Sequence, residues 1–269
     1  SQHVPPALLD SFPVFVAQNT YEALALLSAQ FYGQPGQKLQ LIGITGTNGK
    51  TTVSHLVQHI LHQAGQKAGL LGTLGFKPSP QQAYDTTHYT TPMAPQLQAL
   101  LAQLLQQHYQ SLVMEVSSHA LAQHRVGGCA FDIAVFTNLT QDHLDFHNTM
   151  TQYREAKVKL FSSLQPKADE PKWAIINRDD PAAQRFIEVC PTGVHIITYG
   201  IESSESMVKA LNAQYTLNGA TFTCQTPQGT VHMALKIAGR FGVYNALAAL
   251  ATGLALNIPL TTIQTALES

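Results

Sequence analysis

A glycine-rich segment near the start of the chain carries the residue types that bind phosphate. The segment "TGTNGKTT", residues 45–52, follows an apolar run and precedes a helical pattern. The backbone N–H groups of such a turn, at the start of a helix, point at an anion. Lys50 would then reach the outer phosphates of a nucleotide, and the Thr51 hydroxyl would bind Mg²⁺. Ile44 stands where the strict pattern G-x-x-x-x-G-K-[ST] has its first glycine, so the sequence predicts a variant of the phosphate-binding loop.

Two further polar groups follow apolar runs that are typical of strands. In "SLVMEVSSHALAQHRV", Glu115 lies near the end of such a run, where a carboxylate can face the Mg²⁺ of a nucleotide. A helix cap or an exposed side chain is the alternative interpretation of Glu115. In "FDIAVFTNLTQDHLDFH", two Asp and two His residues lie within residues 142–147. Oxygen and imidazole ligands suit Mg²⁺ or Mn²⁺, although a solvated loop with a helix cap has the same composition.

A third segment, "TQYREAKVKLF", has helical spacing that places Tyr153, Lys157 and Leu160 on one stripe. On this pattern alone, Lys157 is interpreted as a surface lysine whose stem packs on apolar neighbours. A cationic ammonium is also unsuited to a place beside Mg²⁺. The residue pattern by itself therefore assigns Lys157 no chemical role.

The elements that must position these residues alternate along the chain. Helical patterns lie between apolar, β-rich runs, and this alternation predicts an α/β fold with a mostly parallel sheet and helices on both faces. Ligands of such a sheet gather at the carboxyl ends of its strands. The predicted strands are 39–45, 67–72, 111–116, 131–137, 173–177 and 194–199, and the predicted helices are 51–64, 95–109, 149–163 and 180–189.

The pattern changes near residue 210. Three segments that alternate polar and apolar residues, separated by Asn-Gly and Gln-Gly turns, predict a small antiparallel β meander. A long apolar helix over 240–256 follows, and Pro259 ends it. At the other end of the chain, residues 1–36 are interpreted as a lead-in in which Asn19 caps a short helix.

Composition narrows the class of protein. The chain has 269 residues, of which 45% are apolar and 12% charged, which is typical of a soluble globular protein. A net charge of −1 gives no reason to expect a nucleic-acid or membrane partner. The cysteines Cys129, Cys190 and Cys224 are odd in number and far apart, as expected for reduced thiols. With no apolar run near ~18 residues and no signal-peptide pattern, a cytoplasmic location is expected.

Taken together, the motifs resemble the central domain of the Mur ligases, from about Gln37 to the end of the chain. The segment "SSHALAQHRV" is similar to the corresponding segment of those Mur ligases that add the third residue of the peptidoglycan stem peptide. The resemblance rests on "TGTNGKTT", "TTP", "MEVSSHALAQHRV", "FTNLTQDHLDFH", "YREAKVKLF" and "GRFGVYNALAA". It implies a monomeric ATP-dependent and Mg²⁺-dependent enzyme. Its expected partners are UDP-N-acetylmuramoyl dipeptide and an amino acid, either diaminopimelate or lysine.

The resemblance also implies roles for individual residues. Lys157 matches a lysine that the family carboxylates on its side-chain nitrogen, and this converts a cation into an anion that supports a second Mg²⁺. Glu115 and His143 match the family's Mg²⁺ site, and the Thr51 hydroxyl of the loop is expected to bind the same ion. The residues expected to be catalytic are Lys50, Lys157, Glu115 and His143. The ATP-binding residues implied are Gly46, Thr47, Asn48, Gly49, Lys50, Thr51, Thr52 and, close to the adenine, Asn245. The residues implied for the UDP-muramyl dipeptide are Thr90, Thr91, Ser117, Gln123 and Arg125.

Two positions depart from the family pattern: Gly242 stands where many members have Asn, and Tyr89 stands where some have Asn. Residues 37–269 are expected to be the central ATP-binding domain, with the family's N-terminal uridine-binding domain and C-terminal ligase domain absent and the isolated domain inactive. A folylpolyglutamate synthetase-type ligase and a non-catalytic P-loop nucleotide-binding module are the alternatives. Ser117 and His119 lie close in sequence, but they lack the G-x-S-x-G elbow of a hydrolase.

Overall fold

The computed structural model of the chain describes residues 16–85, 89–166 and 170–269. The strands are β1 (Gln40–Thr45), β2 (Ala68–Gly72), β3 (Gly75–Lys77), β4 (Ser111–Glu115), β5 (Ile133–Phe136), β6 (Trp173–Asn177), β7 (His195–Gly200), β8 (Val208–Thr216), β9 (Gly219–Thr226) and β10 (Gly229–Leu235). The helices are α1 (Thr20–Phe31), α2 (Lys50–Gln63), α3 (Ala94–Gln106), α4 (Ser118–Ala122), α5 (Leu144–His147), α6 (Met150–Ser162), α7 (Ala183–Glu188), α8 (Gly239–Ala255) and α9 (Leu260–Glu268).

These strands form a sheet in the order β10-β9-β8-β7-β6-β5-β1-β4-β2-β3. Strand β1 lies between β4 and β5 and is parallel to both. The pairs β2–β4, β5–β6 and β6–β7 are also parallel, which confirms the predicted α/β fold. Because the chain continues from β1 to strands on either side of it, a crevice opens at the carboxyl end of β1. The glycine-rich loop begins at this point.

The antiparallel meander is present, but it is continuous with the main sheet. Strands β8, β9 and β10 pair antiparallel, as predicted. The first residues of β8 also pair parallel with β7, at Tyr199–Val208 and Gly200–Lys209. The alternating pattern predicts pairing between neighbours in sequence, but it carries no information on which strand the edge of the meander joins. The short strand β3 at the opposite edge, antiparallel to β2, was not predicted.

An apolar core lies on each face of the sheet. On one face, Val57 of α2 packs with Leu250 of α8 and Ile263 of α9. On the other face, Leu101 of α3 and Phe161 of α6 belong to the second core. Helix α8 is buried almost all round, in agreement with its nearly continuous apolar sequence. Since β1 lies between the two cores, its carboxyl end is held rigidly for the loop that follows.

The predicted element bounds differ from the observed ones mainly at helix ends. Asn19 caps α1 as predicted, because its side chain accepts the backbone N–H groups of Tyr21 and Glu22. The helix predicted over 180–189 shortens to α7, since Asp180 accepts the N–H of Ala182 ahead of the helix. The three cysteines are free thiols, of which Cys224 is buried. Among the described residues, no helix combines the length and apolar composition that crossing a membrane requires.

Candidate active site

The glycine-rich loop connects β1 to α2, and its geometry requires both glycines. Gly46 has φ of +147°, and a Cβ atom there would overlap the Oγ1 atom of Thr137. Gly49 has φ of +88°, and a Cβ atom there would lie 2.5 Å from Oδ1 of Asn245. Residues with a Cβ atom rarely adopt these backbone angles. The predicted tight turn is therefore confirmed, and Asn245 on α8 lies directly against it.

Residues that follow β5 hold the loop in place. The N–H of Thr47 donates to the carbonyl oxygen of Asn138 (2.8 Å), and the N–H of Asn48 donates to the Asn138 side chain (3.0 Å). Thr137 donates its hydroxyl to the carbonyl oxygen of Asn48 (2.7 Å). The N–H groups of the first turn of α2, beginning at Lys50, have no partner within the helix. These N–H groups are the ones oriented to bind an anion.

Two lysines converge on the loop. Lys50 donates from Nζ to the carbonyl oxygens of Gly46 (2.9 Å) and Thr47 (2.8 Å). Lys157 on α6 donates from Nζ to the same Gly46 oxygen at 2.8 Å. Its side chain is 1% exposed, so the interpretation of Lys157 as a surface lysine is wrong. The helical spacing correctly placed Lys157 on the same stripe as Tyr153. It did not show that this stripe faces the interior of the protein.

Burial lowers the pKa of both ammonium groups. For Lys50, the loss of solvent lowers the pKa, and the charges of Glu115 and Asp142 oppose this effect. For Lys157, burial holds the pKa well below the ordinary value of 10.5, and the charge of Lys50 lowers it further. At a given pH, the neutral fraction of the Lys157 amine is therefore larger than that of a lysine with the ordinary pKa.

Glu115 ends β4 and is 1% exposed, which excludes its interpretation as a solvent-facing residue. Thr73, which directly follows β2, donates its backbone N–H to Oε1 (3.1 Å) and its hydroxyl to Oε2 (3.1 Å). The Thr73 hydroxyl also lies 3.2 Å from that of Thr90. The carboxylate is therefore held beside the loop by a residue that the sequence patterns did not single out.

The residues expected to bind the dipeptide substrate form an adjacent group. Thr91 donates its hydroxyl to the carbonyl oxygen of Glu115 (2.9 Å) and accepts the N–H of Ser117 (3.2 Å). Arg125 donates from Nη1 to the carbonyl oxygen of Thr91 (3.0 Å) and from Nε and Nη2 to Oε1 of Gln123 (2.9 and 2.6 Å). The guanidinium carbon of Arg125 lies 4.9 Å from the ring centroid of Tyr89.

Three histidines lie next to this group. The ring of His119 is 4.9 Å from that of His143 and 5.6 Å from that of His147, centroid to centroid. The His143 ring also contacts Tyr153, with 6.0 Å between centroids. In residues 16–85, 89–166 and 170–269, no group of three His, Cys, Asp or Glu side chains is arranged to hold a metal by itself. A cation here would need phosphate and water oxygens as well, which is how Mg²⁺ is usually bound.

Gly242, which departs from the family pattern, faces the protein interior. A Cβ atom at this position would lie 2.7 Å from Cγ2 of Ile237. A larger residue at this position on α8 would therefore require Ile237 to move. Asn245, one turn further along α8, is the residue that meets the glycine-rich loop.

The structure brings the predicted residues into two neighbouring groups. Four further residues hold these groups in place, and the sequence patterns assigned them no role in the site. Three of the four lie at or directly after the end of a predicted strand, and this position could have indicated them. The first group contains Gly46, Thr47, Asn48, Gly49, Lys50, Thr51, Thr52, Glu115, Lys157 and Asn245, and the second contains Thr90, Thr91, Ser117, Gln123 and Arg125, with His143 beside it. The residues without a predicted role are Thr73, Thr137, Asn138 and Tyr153.

The mostly parallel sheet and the glycine-rich loop at its switch point place the chain in the class of α/β domains that typically bind ligands at this crevice. Comparison with known families shows which family of this class the chain belongs to. Residues 44–253 match the Mur ligase middle domain, so the chain belongs to the Mur ligase family. This finding confirms the resemblance that the motifs indicated.

Two relatives and one more distant structure illustrate the relationship. The chain is 47% identical over 258 residues to a UDP-N-acetylmuramoyl-L-alanyl-D-glutamate--2,6-diaminopimelate ligase of Bacillus velezensis, covering 95% of this chain and 52% of that one. A solved structure of a ligase of the same name has a TM-score of 0.82 and 30% identity over 94% of this chain and 51% of its own. The folylpolyglutamate synthase of Mycobacterium tuberculosis, at 16% identity and a TM-score of 0.70, covers 98% of this chain and 64% of its own and shares the fold. The chain spans about half the length of the curated relatives it matches.

Proposed function

We propose that residues 37–269 form the ATP-binding and substrate-binding central domain of a ligase that adds the third amino acid to UDP-N-acetylmuramoyl-L-alanyl-D-glutamate. In the proposed reaction, a substrate carboxylate oxygen attacks the γ-phosphorus of ATP, ADP leaves, and an acyl phosphate forms. The amine of the incoming amino acid then attacks the acyl carbon and releases phosphate. The amino acid proposed is diaminopimelate, because the similar ligases are named for it.

The observation that carries this proposal is the meeting of Lys50 and Lys157 at the Gly46 carbonyl oxygen, with Glu115 close enough to act on the pKa of Lys50. The Lys50 ammonium at the mouth of an anion-binding loop suits a triphosphate, and Lys157 lies beside it on the same oxygen. Upon nucleotide binding, Lys50 would exchange its two loop carbonyl acceptors for phosphate oxygens. A charged donor of this kind is most effective where water is scarce, and Lys50 is partly buried.

The Mg²⁺ that accompanies ATP fits the residues present. Glu115 is a buried carboxylate whose two oxygens each accept one hydrogen bond from Thr73 and so keep further lone pairs for a ligand. The Thr51 hydroxyl and His143 are the other proposed ligands. Bound Mg²⁺ would neutralise charge that develops on the phosphates.

Lys157 is proposed to act as its carbamate. The neutral amine adds to CO₂, an N–C bond forms, and the nitrogen loses a proton. The lowered pKa of Lys157 supports this step, because only the neutral amine is a nucleophile. The anion so formed would support a second Mg²⁺, whereas the ammonium would repel it.

The adjacent group around Arg125 is proposed to bind the UDP-muramyl dipeptide. The Gln123 side chain holds the planar guanidinium of Arg125 through two of its nitrogens, so its orientation is set before a substrate arrives. An oriented guanidinium recognises a carboxylate or a phosphate with two parallel hydrogen bonds. Thr90, Thr91 and Ser117 are proposed to contact the same substrate.

Calorimetry of a non-hydrolysable ATP analogue with Mg²⁺ tests the proposal. A charge-assisted hydrogen bond contributes roughly 1.5–3 kcal/mol, so Lys50→Ala should weaken binding about 10- to 100-fold. Lys67→Ala is the matched control, because Lys67 also donates to a backbone carbonyl, that of Gln107, but lies beyond the other end of α2. Equal affinity in wild type and Lys50→Ala would refute the nucleotide site.

A further inference from the structure

We propose that Thr73 is a positioning residue that sets the orientation of the Glu115 carboxylate for a divalent cation and links it to Thr90. This inference rests on the proposed function, because it concerns the cation that would accompany the nucleotide. Thr73 belongs to no motif on which the family resemblance rests. It is identified here by its contacts alone.

Thr73 contacts the Glu115 carboxylate at two points. Thr73 donates its backbone N–H to Oε1 of Glu115 and its hydroxyl to Oε2, both at 3.1 Å. Two donors from one residue define the plane of the carboxylate, whereas a single donor would allow it to rotate. Each oxygen accepts one bond and has two lone pairs, so one lone pair on each remains for another ligand.

The backbone next to Thr73 leaves room for this contact. Gly72 precedes Thr73 at the end of β2, and a Cβ atom on Gly72 would overlap Oε1 of Glu115. The absence of a side chain lets the carboxylate lie against the end of the neighbouring strand. Because Glu115 is 1% exposed, water cannot replace these donors readily, and losing one leaves a buried oxygen without a partner.

The hydrogen bonds of the two threonine hydroxyls run in one direction. The Thr73 hydroxyl has a single proton, and this proton is donated to Oε2 of Glu115. The Thr90 hydroxyl, at 3.2 Å from that of Thr73, must therefore be the donor between them. The chain of donors runs from Thr90 through Thr73 to Glu115. A ligand that takes the Thr90 proton removes the donor to the Thr73 hydroxyl, and this weakens that hydroxyl as a donor to Glu115. The dipeptide group and the cation group are therefore coupled through one hydroxyl.

The test measures Mn²⁺ affinity by electron paramagnetic resonance, with a non-hydrolysable ATP analogue present. Residues that orient a metal ligand typically account for about 10- to 100-fold in metal affinity, and Thr73→Val should lose about this much. Thr73→Ser keeps the hydroxyl and should bind Mn²⁺ as wild type does. Thr198→Val is the matched control, since the Thr198 hydroxyl also lies near the end of a strand but donates to the carbonyl oxygen of Glu205.

The Glu115→Gln variant separates this inference from the proposed function. If Glu115→Gln weakens Mn²⁺ binding and Thr73→Val does not, the positioning role is wrong and the proposed metal site stands. If neither variant weakens it, the metal role of Glu115 is wrong, and the inference falls with it. If Thr73 acts through Glu115, Thr73→Val should cause no further loss of Mn²⁺ affinity in the Glu115→Gln background, because the carboxylate that Thr73 orients is gone. Should the valine variant fail to fold, Thr73→Ala is measured with the same expectations.

Discussion

Lys50 and Lys157 donate to one acceptor, the carbonyl oxygen of Gly46, at 2.9 and 2.8 Å. The two lysines lie on different helices, α2 and α6, and approach the loop from different directions. Two like charges at this separation repel each other strongly where water is scarce. Their arrangement favours either an anion between them or the loss of one charge. Lys157 is the lysine that burial and the charge of Lys50 move toward neutrality.

The stability of the protein should depend on the protonation of Lys157. Its pKa in the folded state lies below the ordinary 10.5, so between these two values the unfolded chain binds more protons. The free energy of unfolding should therefore rise with pH through this window, and the contribution is lost as pH falls through the folded-state pKa. Lys157→Met removes the titrating group and should flatten the rise. Urea unfolding at a series of pH values, in buffers free of CO₂, measures it.

The control for this prediction is Lys159→Met. Lys159 is an exposed lysine on the same helix, so its removal should leave the pH dependence as it is in wild type. A slope that is the same in wild type and Lys157→Met would show that the buried amine keeps an ordinary pKa.

The same lowered pKa predicts that Lys157 reacts with CO₂ at a lower pH than a lysine with the ordinary pKa of 10.5 does. With ¹³C-labelled bicarbonate and Mg²⁺, a carbamate signal should appear in the ¹³C NMR spectrum of the protein. Lys157→Arg should abolish this signal, and Lys159→Arg should retain it, because Lys159 is exposed to solvent. A signal that survives Lys157→Arg would assign the carbamate to another amine.

Replacing Gly49 should cost both stability and nucleotide affinity. Gly49→Ala places a Cβ atom at φ of +88° and 2.5 Å from Oδ1 of Asn245, so Asn245 must move away from the loop. The backbone strain alone costs roughly 1–2 kcal/mol. Gly65→Ala is the matched control: its φ is +77°, and apart from its own chain neighbours no described atom lies within 4 Å of its Cβ position. Both variants should lose stability in thermal unfolding, but only Gly49→Ala should lose affinity in calorimetry.

Equal nucleotide affinities in these two alanine variants would contradict the role of the contact between Gly49 and Asn245. In that case the glycine would be needed for its backbone angle alone.

The guanidinium group of Arg125 should be needed for the dipeptide substrate but not for the nucleotide. Arg125→Lys keeps the positive charge but loses the fork that contacts Gln123 and the carbonyl oxygen of Thr91. We expect the affinity for UDP-N-acetylmuramoyl-L-alanyl-D-glutamate to fall about tenfold or more, the loss of a charge-assisted pair. The affinity for the ATP analogue should stay constant. Calorimetry with each ligand measures both values.

Arg178→Lys is the control for the Arg125 variant, because it removes a similar fork, which directly follows β6 and contacts Glu205. If Arg125→Lys and Arg178→Lys bound the dipeptide with equal affinity, Arg125 would have no special role in recognising the substrate.

Sequence patterns determined the parts of this protein that depend on neighbouring residues. The strand at 173–177, the Asn19 cap and the turn at Gly46 and Gly49 follow from local propensity and backbone angles, so short segments were enough to predict them. The motif order also indicated the family, which the match over residues 44–253 confirmed.

Only the tertiary structure decided which residues meet. Lys157 reaches an oxygen 111 positions away in sequence, and Thr73 reaches a carboxylate 42 positions away. No local pattern encodes such contacts, because they arise where parallel strands bring their carboxyl ends to one edge of the sheet. For the same reason, the sequence predicted the meander but not its pairing with β7. The helical spacing predicted the stripe of Lys157, and only the packing of α6 against the sheet turned that stripe inward, where burial lowers the pKa of its amine.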